Sequence, residues 1–254
     1  HRLHSMDFLL SAYLQVGDDR DALKQIDGLK SLPENDSMIP SYNDYYQEAL
    51  ILFPATYAIE RGQWKEALKI VPDPATPPYV QATACWVRAV AAGHLRDAAV
   101  TRAALHQFST DFEATKKSSK AYLADDLETK RDEALAWQRH ADGRDDEAVK
   151  LMRDVADKED KVGKRETDIP AREMLADLLL EIGRSDDALQ EYELSLKTNP
   201  NRFNALYGAG RAAEAVKQPE KARQYYAQLL KNCSGVESDR PELARVRAAM
   251  TESR

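Results

Sequence analysis

The chain has 254 residues, of which 43% are hydrophobic and 31% charged, enough apolar material for a sizeable core and too much for a disordered chain. Asp plus Glu outnumber Lys plus Arg by 43 to 36, a net charge of -7, which argues against nucleic acid or an anionic membrane surface as the main partner. Apolar runs such as "EALILF" and "ADLLLEI" are far short of the roughly 20 residues that span a bilayer, so no membrane insertion is expected.

Taken in order, apolar residues of helical period predict helices over 2–16, 19–31, 43–61 with an interruption at Pro54, 63–70, 79–93, 95–115, 118–142, 144–161, 170–183, 185–197, 201–216 and 219–232. "LPENDSMIPS", "VPDPATPP" and "GKRETDIP" read as loops between them. A last segment, "RPELARVRAAM", begins with Pro at a helix start and places Leu243, Val246 and Met250 on one side, as a capping helix would. Cys85 and Cys233 form neither a disulfide framework nor a metal pattern and read as buried thiols. Asn35-Asp36-Ser37 and Asn232-Cys233-Ser234 fit the glycosylation triplet, which chance supplies readily.

The helices are joined by a recurring turn. Five times a Gly is followed five residues later by an Ala: Gly17 and Ala22, Gly62 and Ala67, Gly93 and Ala98, Gly143 and Ala148, Gly183 and Ala188. A sixth copy keeps Ala222 and has Lys217 in place of Gly. Gly stops one helix in a left-handed conformation, and a small Ala lets the next helix cross closely. In the last two copies the period is 34: Ala176 with Gly210, Ala188 with Ala222, Tyr192 with Tyr226. Earlier Ala-to-Ala intervals are 45, 31, 50 and 40, so the N-terminal repeats are irregular.

"MLADLLLEIGRSDDALQEYELSLKTNPN", with Ala176, Ala188, Tyr192 and Pro200, resembles the tetratricopeptide repeat (TPR). Together with "SAYLQVGDDRDAL" and "FPATYAIERGQW" it is similar to a group of bacterial TPR proteins without assigned activity. The resemblance implies an all-α, right-handed α-solenoid of about six antiparallel helix pairs with a C-terminal capping helix. A single repeat domain is expected over 1–254, irregular over 1–165, regular over 169–234 and capped by 235–254, with further repeats preceding His1 in the native protein.

No phosphate-binding glycine loop, nucleophile elbow or HExxH is present, so no enzyme activity and no cofactor are expected. His1, His4 and Asp7 lie at helical spacing, but His1 and Asp7 diverge by about 120° around the axis, so no closed metal site is expected from them. By the resemblance, the first helix of each pair lines a concave groove. The groove places are His4, Asp7 and Ser11; Leu52, Thr56 and Ile59; Thr83, Val87 and Val90; Glu133, Trp137 and His140; Glu173, Asp177 and Leu180; and Tyr207, Arg211 and Glu214. An apolar middle flanked by aromatic and charged groups suits a protein or peptide partner, with Trp137, Tyr207 and Arg211 as anchors. Packing against the neighbouring repeat is the plainer reading of Trp137 and His140. The Lys and Asn clamp with which some TPR proteins hold acidic C-terminal peptides is missing from these places. The reading is therefore a non-catalytic interaction or assembly scaffold, binding in its groove or self-associating through its ends. The alternative is a ligand- or metal-binding helical domain accessory to an enzyme.

Overall fold

The computed structural model describes residues 2–32 and 40–252. His1, the first member of the histidine and aspartate series, and the Asn35-Asp36-Ser37 triplet lie outside the described residues.

Thirteen α-helices and one short 3-10 turn make up the described chain, and no strand occurs among the described residues. They are α1 Arg2–Val16, α2 Asp19–Lys30, α3 Pro40–Glu60, α4 Trp64–Ala67, α5 Pro78–His94, α6 Ala98–Lys116, α7 Ala124–Ala141, α8 Asp145–Val162, α9 Ala171–Glu181, α10 Ser185–Thr198, α11 Phe203–Ala215, α12 Pro219–Asn232 and α13 Pro241–Glu252. None is long and apolar enough to cross a membrane. The fold is all-α, built of consecutive helix pairs of the α-solenoid class.

Most boundaries agree with the hydrophobic period, and the exceptions have local causes. Pro54 does not interrupt α3, which runs through it. Because Pro has no N–H, the Leu50 carbonyl one turn earlier merely lacks its usual bond. α6 starts at Ala98 because Asp97 caps it, accepting from the Ala99 and Val100 amides at 3.2 and 3.0 Å. α7 starts at Ala124, after the Ala121–Leu123 turn, because the Ser118 hydroxyl takes the Lys120 amide at 3.0 Å and draws the backbone out of helix.

The turns repeat closely. After each left-handed residue, the next amide bonds back across the helix end: Asp18 to Tyr13, Gln63 to Ala58, Asp97 to Ala92, Arg144 to Arg139, Arg184 to Leu179 and Gln218 to Ala213, all at 2.7 to 2.9 Å. This is a helix stop of the Schellman type. The left-handed residues are Gly17, Gly62, Arg96, Gly143, Gly183 and Lys217. The third copy of the turn is therefore shifted by three residues from the expected one. Arg96, at φ 53°, takes the place assigned to Gly93, and fully buried Thr101 takes the place assigned to Ala98. Gly93 lies inside α5, where a Cβ would come within 2.7 Å of the Trp137 Cβ, so it serves helix packing instead of the turn.

Two compact units divide the chain: residues 1–7 with 24–155, and residues 8–23 with 156–254. In the first, α5 packs against α3, α6 and α7 around Phe53, Val80, Val87, Phe108 and Trp137. In the second, α9 packs on α10 and α11, α11 on α12, and α12 on α13. Segment 8–23 joins this second unit by a set of specific contacts. The Gln15 side-chain oxygen accepts from the Phe203 amide at 2.8 Å, Asp19 pairs with buried Arg240, and a Cβ at Gly17 would meet Ser238, Cys233 and Leu243 at 3.3 to 3.6 Å. Leu243 and Val246 of α13 are fully buried, while Met250 is half-buried. Both cysteines are buried free thiols whose pKa burial pushes up, Cys85 to about 11.

Candidate functional site

In the second unit, the helix-to-helix approach depends on two glycines of α11. A Cβ at Gly208 would fall 2.2 Å from the Tyr192 Cζ, and one at Gly210 would fall 2.1 Å from the Tyr226 Cε1. Tyr192 of α10 and Tyr226 of α12 thus press against the same helix, and their places are 34 residues apart. The arrangement is the small-residue and aromatic pairing that the sequence period implies. These helix pairs are tetratricopeptide-like.

No protein-family model and no curated protein matches this chain. Among solved structures it is similar to a tetratricopeptide repeat protein from Parabacteroides merdae, at 13% identity over 98% of each chain with a TM-score of 0.48. It is also similar to kinesin light chain TPR-like repeats from Podosopora anserina, at 20% identity over 91% of this chain and 94% of that one with a TM-score of 0.32. The fold assignment rests on the turns and helix pairs themselves.

Tyr192 is almost fully buried, and its hydroxyl donates to Asp177 on α9. Burial, followed by the nearby Glu173, holds the Asp177 carboxyl well above the usual carboxylate range. Burial and then Asp177 raise the Tyr192 phenol, and the Arg211 guanidinium opposes that rise. One turn along α11 from Arg211 lies Tyr207. The Arg211 and Arg245 guanidinium carbons stand 5.7 and 5.8 Å from its ring centroid, so two cations lie against one aromatic ring. Arg245 also donates to Glu214 at 2.7 Å and to the Tyr207 hydroxyl at 3.4 Å. Arg211 is exposed and makes no ion pair among the described residues. Asp177, Arg211 and Arg245 occupy equivalent places at the 34-residue period.

Behind this row is an ionic layer. Buried Arg202 donates to both oxygens of fully buried Glu173 at 2.9 and 2.7 Å. Buried Arg172 reaches Asp157, Asp160 and Glu191 at 2.6 Å each. These bonds fix where α9 and α11 start, and hence where Asp177 and Tyr207 project.

The other anticipated groove residues behave differently. His4 is exposed. Asp7 is half-buried and accepts from the Tyr45 hydroxyl at 2.7 Å. Ser11, Leu52 and Thr56 are half-buried, as is Leu180, whereas Ile59 is buried. Thr83, Val87 and Val90 are completely buried, so the expected apolar floor is part of the core of the first unit and not an open surface. Leu9 is 43% exposed.

Glu133 is buried and accepts from the Trp86 indole at 2.7 Å. Trp137 and His140 have no exposed surface, and this corrects the expectation that Trp137 anchors a partner. The Trp137 ring lies 3.9 Å from His94, which stacks at 3.7 Å on Trp64, and His140 meets Asp145 at 2.8 Å. Gly93 lets α5 close over Trp137, leaving it no access to solvent.

The structure therefore brings Asp177, Tyr207 and Arg211 together with Glu214, and adds Arg245, which the sequence reading missed. Its signal was present, one period beyond Arg211. Trp86 was also missed, and no spacing rule distinguished it from its buried neighbours on α5.

Proposed function

We propose that the chain is a non-catalytic protein-interaction scaffold that receives an extended peptide or a partner helix across the α9, α11 and α13 face of its second unit. The observation that carries this reading is the Tyr207 ring with the Arg211 and Arg245 guanidinium groups 5.7 and 5.8 Å from its centroid, Arg211 being exposed and free of ion pairs among the described residues. Tyr and Arg are the side chains that most often dominate interface energetics, and here their positions are set in advance by the Arg202 and Glu173 pair. Asp177 and Glu214 supply acceptors beside them, so a segment with both donors and acceptors suits the row.

His4, Asp7, Ser11 and Thr56 are exposed or half-buried and take no part in this row. Glu133, Trp137 and His140 leave it because they are buried. The test is selection of peptides from a displayed random library on the folded chain, followed by affinity measurement on variants. Tyr207→Ala and Arg211→Ala should each weaken the selected peptides by about tenfold, a cost of more than about 1 kcal/mol. Peptides that bind both variants as tightly as the parent would place the interaction elsewhere.

A further inference from the structure

We draw no further inference here: the strongest candidate, the exposed apolar surface at Phe8 and Leu9 of α1 and Leu23 of α2, carries nothing because nothing in the structure shows what covers it.

Discussion

The two units bury their polar groups in different ways. In the unit of residues 8–23 and 156–254, three arginines, Arg172, Arg202 and Arg240, are buried, each bonded to one or more carboxylates. In the unit of residues 1–7 and 24–155, no arginine is buried as a whole among the described residues. There several interior polar groups are single side chains bonded locally, such as Glu133 by Trp86, Asp111 by Gln107 and Thr115 by the Asp111 carbonyl. Ion pairs are directional and break if a helix slides, whereas aromatic and alanine packing tolerates small shifts. The comparison teaches that the regular repeats are held in register by charge, and that the row of Asp177, Tyr207, Arg211 and Arg245 is placed by it.

The strongest way to break that contrast is to leave a buried charge unpaired. Arg202→Met should destabilise the chain by about 3 to 5 kcal/mol because Glu173 is then buried alone, and Arg202→Met with Glu173→Leu should recover most of the loss. Glu133→Gln in the other unit should cost less than about 1 kcal/mol, since the amide oxygen still accepts from Trp86. Urea denaturation of the three variants checks the order.

A smaller effect is expected from close packing. Gly210→Ala should cost about 1 to 3 kcal/mol, its Cβ colliding with Tyr226, while Gly235→Ala, with nothing within 4 Å, should be nearly neutral. Equal melting temperatures for the two would show that α11 and α12 do not approach as closely as described.

The smallest is a pH effect. Glu159 accepts from the Ala171 amide at the start of α9, at 3.2 and 3.3 Å. Burial raises its pKa from the ordinary 4.5 to about 7, against the opposing pull of that amide. A carboxyl with a raised folded pKa favours the fold fully below 4.5, and this contribution is lost as pH rises through about 7. Glu159→Gln should therefore match the parent at pH 4 and exceed it by a margin that grows as the pH rises to 8. A stability difference that does not grow with pH would show that Glu159 is not strained by burial.

Much of the fold was legible because the turn and the 34-residue period are local properties. Gly183 with Ala188, and Ala188 with Ala222, mark a helix stop and a close crossing without reference to anything distant. Lys217 was recognised as a replaced Gly, but the matching replacement at Arg96 was hidden by the nearby Gly93, whose role is to admit Trp137. The association of residues 8–23 with 156–254 was not legible. It depends on Gln15 meeting the Phe203 amide and Asp19 meeting Arg240, partners 188 and 221 residues apart that no period connects. The candidate row was half legible, since helical spacing gives the face a residue shares, whereas burial depends on what closes over it. Tyr207 and Arg211 stayed accessible and Trp137 did not.

The central claim, that the row on α9, α11 and α13 is the docking surface, is tested most directly by mapping a library-selected peptide onto the folded chain through amide and side-chain chemical shifts. The account predicts that the largest changes fall on Tyr207, Arg211, Glu214 and Arg245 and that Arg211→Ala removes them. Shifts confined to residues outside this row, unchanged by Arg211→Ala, would contradict it.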